Sequence, residues 1–206
     1  MNTVVNSERT RRDVVVMGAS AGGISALREL FGKLPGDLAA AIAVVLHRSP
    51  VAETSLAHVL AWRSALPVIE ARDAMTFQRG TIYVAPRDQH LQVDGVTLRL
   101  SRGPKEQHTR PAIDPLFRSA AASSGKRMVG VLLSGTGDDG VSGLISVTAA
   151  GGVSLVQDPS EAAYPAMPRS AILKDRVHGA LPVAELADVL IQLARGDVVE
   201  MTSPRA

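Results

Sequence analysis

VVVMGASAGGISALREL, residues 14–30, decides the fold. Val14–Met17 is a short apolar run that stops at glycine, as a buried strand does. From Ile24 the apolar residues Ile24, Leu27, Leu30, Phe31 and Leu34 recur at helical spacing, and Pro35-Gly36 ends the pattern. Strand, glycine-rich turn and helix thus follow one another without a break, which is the first half of a βαβ unit. One serine, Ser20, sits inside the turn.

The same alternation runs outward along the chain. AAIAVVLH (40–47) reads as a second strand, SLAHVLAWRS (55–64) as a helix and VIEA (68–71) as a short strand. GTIYVAP (80–86) and HLQVDGVTLRLS (90–101) alternate apolar and polar residues around Asp94-Gly95, which predicts a partly exposed antiparallel element. IDPLFRSAAASSG (113–125) is helical, and MVGVLLSGTGDDG (128–140) is a strand running into a second glycine-rich turn. VSGLISVTAAGG (141–152), MPRSAILK (167–174) and VAELADVLIQLARG (183–196) read as helices, with VSLVQD (153–158) as one more strand. The expected fold is α/β: a doubly wound, mostly parallel sheet with helices on both faces and an antiparallel β-hairpin. Residues 13–196 form the domain, residues 1–12 a flexible lead and residues 197–206 a loose tail.

Composition narrows the function. The 206 residues are 46% hydrophobic and only 3% aromatic, so the core is aliphatic, as a buried parallel sheet requires. Without cysteine there is no disulfide framework, thiol nucleophile or thiolate metal site. The histidines stand far apart, with no paired carboxylates at ligand spacing, so neither metal nor cofactor is expected. A net charge of +2, scattered along the chain and with few aromatics for base stacking, argues against nucleic acid. No secretory leader or apolar run of membrane-spanning length is visible, so a cytoplasmic protein without membrane insertion is expected, and a monomer.

In doubly wound sheets ligands bind outside the carboxyl ends of the strands. Three such ends carry Ser20, His47 and the pair Asp138-Asp139. A dinucleotide fingerprint fails, because Ser20 occupies the glycine position that must approach pyrophosphate and His47 stands where an acidic residue would hold the ribose. No Gly-Lys-Ser/Thr follows, so a P-loop fails as well. GASAG (18–22) does fit the G-x-S-x-G spacing of a nucleophile elbow. Serine needs a base to take its proton, and His47 directly ends a strand of the expected sheet. The imidazole needs a carboxylate to orient it. Spacing does not choose between Asp138 and Asp139. The order Ser, His, Asp differs from the Ser, Asp, His order of α/β-hydrolases.

GASAGGISAL, VVLHRSP, GTIYVAPRDQHL, RPAIDPLFRSAA, LLSGTGDDGVSG and AAGGVSLVQDPSEAAYPAMPRSAI follow one another between Val14 and Leu190. These blocks resemble the CheB-type chemotaxis methylesterases. The resemblance implies a serine hydrolase that removes methyl esters from glutamyl side chains on the cytoplasmic helices of chemotaxis receptors and deamidates particular receptor glutamines. It assigns the catalytic roles to Ser20, His47 and Asp139, the residue before the last glycine of GTGDDG. Ala21, Gly22 and Gly23, by dipole geometry, are the candidates for the oxyanion hole, and Thr136 lies on the rim.

Three departures from the family pattern touch that rim. Ala21 stands where serine or threonine is usual, Thr136 where methionine is common, and RSP follows His47 in place of MP. Typical members also carry a receiver domain ahead of the esterase block. Only a short lead precedes Val14 here, so the expectation is a stand-alone catalytic domain regulated, if at all, by a separate protein. Two other readings keep the fold: the same chemistry on a signalling protein outside motility, and a non-catalytic receptor-binding module.

Overall fold

A computed structural model of the chain describes residues 2–5, 8–48, 55–202 and 204. The expectations for Ser49 and Pro50, for Met1, Asn6 and Ser7 of the lead, and for Ser203, Arg205 and Ala206 of the tail lie outside the described residues. In chain order the strands are β1 (Asn2–Val5), β2 (Val14–Ala19), β3 (Ala41–Leu46), β4 (Val68–Glu70), β5 (Ile82–Val84), β6 (His90–Asp94), β7 (Thr97–Ser101), β8 (Met128–Leu132), β9 (Val153–Gln157), β10 (Gly179–Leu181) and β11 (Val199–Thr202). The α-helices are α1 (Gly23–Phe31), α2 (Leu56–Ala61), α3 (Ile113–Ser124), α4 (Val141–Ala149), α5 (Ala166–Lys174) and α6 (Val183–Arg195).

Seven parallel strands form the central sheet in the order β10-β9-β8-β2-β3-β5-β4. β2 lies in the middle. The chain leaves it toward β3 and later returns on its other side as β8, so the strand order reverses at β2. Such a reversal opens a crevice at the carboxyl ends of the strands. Buried β2 residues alternate between the two faces, as the period of two requires. Val15, Met17 and Ala19 pack under α1 and α6 with Leu27, Leu30, Leu186 and Leu190. Val14 and Val16 pack on the other side with Ile113, Phe117 and Leu144 of α3 and α4.

The hairpin lies where Asp94-Gly95 predicts it: β6 and β7 pair antiparallel, with Gly95 in a left-handed conformation at the turn. GTIYVAP is different. Its strand β5 is fully buried between β3 and β4 in the parallel sheet and takes no part in the antiparallel element. The ends also depart from the expected lead and loose tail. β1 and β11 pair antiparallel, with Asn2 opposite Thr202 and Val5 opposite Val199. At the amino ends of the strands, buried Asp13 accepts from the Arg79 Nε and the Arg127 Nε and Nη2, each 2.9 Å away. That ion cluster closes the pole of the sheet opposite the serine turn.

Candidate active site

Ser20 follows β2, His47 follows β3 and Asp139 follows β8, so three adjacent strands deliver the three residues to one rim. Backbone bonds hold the first two in place. The Ser20 N–H donates to the Ser134 carbonyl at 3.0 Å, and the His47 N–H donates to the Ala19 carbonyl at 3.0 Å. Asp139 meets the ring: its Oδ2 lies 2.7 Å from His47 Nε2. Its neighbour Asp138 turns outward and takes Lys174 Nζ at 2.6 Å, and that contact holds the Asp138 carboxyl below its usual range.

Asp139 is buried, and its other partners come from the start of α3. The Ile113 N–H donates to Oδ2 at 2.7 Å and the Asp114 N–H to Oδ1 at 3.0 Å. A helix N-terminus presents unpaired N–H groups and the positive end of its dipole, so it is a good seat for a carboxylate. The arrangement is reciprocal. Asp114, in the first turn of α3, accepts from the Gly140 N–H at 3.1 Å and the Gly143 N–H at 2.7 Å, at the start of α4. Each helix is therefore capped by the aspartate beside the other's first turn. Burial raises the Asp114 carboxyl above its usual range, against the lowering effect of the Gly143 N–H.

The neighbours of His47 decide its tautomer. Thr109 Oγ1 donates its proton to the Glu106 carbonyl at 3.1 Å and lies 3.4 Å from Nε2, so it offers that nitrogen a lone pair. Asp139 offers a second acceptor. With acceptors on both sides Nε2 carries the proton, and Nδ1 is left as the basic nitrogen.

The serine turn is tightly packed. Gly22 has a φ of 74°, and a Cβ there would come within 2.7 Å of Ser134 Oγ. A Cβ on Gly135 would lie 2.9 Å from the Ser20 Cβ and 2.3 Å from Met167 Sδ, so the second glycine turn can approach the serine only as glycine. Ser134 joins the two turns: its hydroxyl donates to the Ala21 carbonyl at 2.8 Å and accepts from the Tyr164 N–H at 3.0 Å. Of the expected oxyanion donors, Gly23 must be set aside, because its N–H donates to the Ser20 carbonyl at 3.0 Å. Ala21 and Gly22 remain; neither N–H is engaged among the described residues. Thr136 is exposed in the second turn.

Residues 15–190 match the family model described as CheB methylesterase. The chain belongs to the CheB methylesterase family. A protein-glutamate methylesterase/protein-glutamine glutaminase 2 of Anaeromyxobacter dehalogenans is 42% identical over 185 residues, 90% of this chain and 54% of that protein. One of the same name from Methanosarcina mazei is 34% identical over 192 residues, 89% of this chain and 52% of that protein. This chain thus spans about half the length of the curated relatives it matches. The CheB methylesterase catalytic domain of Thermotoga maritima superposes with a TM-score of 0.84 at 32% identity, covering 89% of this chain and all of that one. The CheB methylesterase fold is thereby shown for the greater part of the chain.

Sequence reasoning passed over several residues at this site. Thr109, Asp114 and Ser134 act across long sequence separations. RPAIDPLFRSAA carries Asp114 and lies directly after Thr109, so its specificity to the family was the available signal. The buried His90 braces the same segment: its Nδ1 accepts from the Ala112 N–H at 3.2 Å, and its Nε2 donates to the Pro104 carbonyl at 2.9 Å. Among the described residues no group of three His, Cys, Asp or Glu could hold a metal ion, and no helix is long and apolar enough to cross a membrane.

Proposed function

We propose that this chain is a serine hydrolase that converts γ-methyl glutamyl esters of chemotaxis receptors to glutamate and hydrolyses particular receptor glutamines to the same product. The observation that carries this reading is the 2.7 Å contact between Asp139 and His47, which follows the strand next to the one that Ser20 follows. The names of the matched relatives supply the substrate class. The site would act in the cytoplasm, on the cytoplasmic helices of the receptors, with a separate protein as its regulator.

In the first half-reaction Ser20 Oγ attacks the ester carbonyl, and its proton passes to His47 Nδ1. The ring becomes an imidazolium, which Asp139 stabilises at Nε2. The Ala21 and Gly22 N–H groups and the start of α1 face the oxyanion of the tetrahedral intermediate. As this collapses, Nδ1 returns its proton to the departing methoxide, which leaves as methanol, or to the nitrogen of an amide, which leaves as ammonia. A water molecule then attacks the acyl-serine, giving its proton to Nδ1. Glutamate leaves and Ser20 recovers its proton. Each turnover of an ester puts one negative charge on the receptor helix.

The test is methanol release from methylated receptor cytoplasmic fragments by the intact chain and by Ser20→Ala. Loss of the nucleophile leaves only binding and oxyanion stabilisation, so release is expected to fall about 10³-fold or more. Equal release by both proteins would refute the assignment of Ser20.

A further inference from the structure

A cavity of about 330 Å³ opens beside His47, bounded by Arg48, Asp88, Lys105, His108 and Arg110 among others. Its charge is unbalanced. Among the described residues Asp88 is its one carboxylate, and that group is already occupied: Oδ1 accepts from Arg110 Nε at 2.9 Å and Nη2 at 2.8 Å. Arg110 is in turn satisfied, because its Nη1 donates to the Arg102 and Gly103 carbonyls. Glu106, next to the cavity, is held by Arg118 at 2.7 Å.

Among the described residues one lining cation, Lys105, is in no ion pair, and another, Arg48, is held only by the half-exposed Glu70. The Arg48 side chain is nine-tenths buried, yet among the described residues its Nε, itself sealed from solvent, has no partner and its Nη2 makes two long bonds, to Glu70 and to the Ala85 carbonyl, both 3.3 Å. A buried guanidinium with so few acceptors is costly unless an anion completes it. Burial holds its affinity for a proton below the ordinary arginine value, in keeping with that shortage. Lys105 is exposed at the mouth and makes no ion pair within 4 Å among the described residues, although its charge, after that of Arg110, helps to hold the Asp88 carboxyl below its usual range. The wall that carries it is a tight turn. Glu106 and Thr109 exchange backbone bonds of 3.2 and 2.9 Å, and Gln107 and His108 between them have φ of 47° and 63°. Left-handed residues other than glycine are strained, and such turns are kept where they aim a side chain. Thr109 at its base touches the His47 ring.

We infer that this cavity is a subsite for a carboxylate of the substrate chain next to the reacting side chain, gripped by Arg48 and Lys105. The inference rests on the esterase reading for the identity of the reacting group. The subsite makes this chain prefer an ester or amide that lies in an acidic segment, and it works through binding, not through the chemical step.

The experiment uses two synthetic helical peptides with the same γ-methyl glutamyl ester, flanked one turn away by glutamate in one and glutamine in the other. Their kcat/KM ratio is measured with the full chain, with Arg48→Met and with Lys105→Ala. A ratio of about ten is expected for the unaltered chain, the size of one partly screened charge-assisted bond. It should be carried by KM, shrink in salt and fall toward one in each variant. A general loss of activity cancels in the ratio, and Lys105 is exposed, so that variant reads the subsite even if Arg48→Met does not fold. A ratio near one for the unaltered chain, or a ratio unchanged in Lys105→Ala and in any folded Arg48→Met, overturns the subsite. The same peptides, fluorescently labelled, are titrated onto Ser20→Ala with and without Lys105→Ala. Tighter binding of the acidic peptide that depends on Lys105, with no methanol released by the intact chain, leaves the subsite standing and removes the esterase reading. Hydrolysis without any acidic preference does the reverse.

Discussion

Asp138 and Asp139 are chemically identical neighbours with opposite surroundings. Lys174 holds the first at the surface, while His47 and two N–H groups of α3 hold the second inside. The Asp139→Asn variant keeps an acceptor oxygen but can present its NH₂ to Nε2, which then becomes the acceptor and leaves Nδ1 protonated. Serine loses its base, and methanol release is expected to fall about 10³- to 10⁴-fold in kcat. Asp138→Asn loses an exposed ion pair with Lys174, keeps an acceptor for Ser170, and should stay within about twofold. Steady-state kinetics on the two variants checks both. Ser20 and His47 were legible in the sequence because strand ends of an α/β sheet converge, and both residues directly follow apolar runs. The choice between the aspartates was not, since it depends on the position of α3, whose first residue is 26 positions from Asp139. Thr109 was missed for a similar reason: its role comes from a hydroxyl proton spent on Glu106.

The elements that frame the site are α3 and α4, and their exchanged caps make them one unit. Removing the Asp114 carboxylate in Asp114→Ala strands the Gly140 and Gly143 N–H groups in a buried place, at a cost of about 1–3 kcal/mol. It also frees the turn that carries Asp139, so turnover should fall together with stability. Asp114→Asn keeps an acceptor and should lose less. The two variants separate further by pH. The folded-state carboxyl titrates above its unfolded value of 3.8, so between those two values the folded protein holds more protons than the unfolded one. Stability therefore declines as pH rises through that window. Asp114→Asn should lack that decline, as urea unfolding at a series of pH values from 3.8 upward would show. At this scale the sequence was informative wherever an element had a period or a turn signature. Asp94-Gly95 disclosed the β6–β7 hairpin, and apolar spacing disclosed α1 and α6. It misled at β5, where the alternation in GTIYVAP suggested part of a partly exposed antiparallel element. Tyr83 is in fact buried, with its hydroxyl donating to the Thr76 carbonyl at 2.9 Å. β10 has three residues, too few to show a period.

Across the whole molecule the two poles of the sheet have different tasks. The carboxyl ends carry Ser20, His47 and Asp139, and the amino ends carry the cluster of Asp13 with Arg79 and Arg127. The overall architecture was readable from strand–helix alternation, because a parallel sheet admits few ways of covering both faces. The pairing of β1 with β11 was not, since each has only four residues at the end of the chain, although Val199 and Met201 of β11 are buried against the core. That pairing has a topological consequence. With Asn2 opposite Thr202 the first and last strands of the domain lie side by side, so a short bridge can join them and the order of the elements between can be permuted. A circular permutant with Thr202 joined to Asn2 through a short Gly/Ser bridge, and new termini between Asp94 and Gly95 at the exposed hairpin tip, should fold and release methanol within a few-fold of the parent. Circular dichroism and the methanol assay would test it, and an unfolded permutant would count against the pairing. In such a chain the second glycine turn would precede the serine turn, and the rim would be assembled from the same three strand ends in a different order of synthesis.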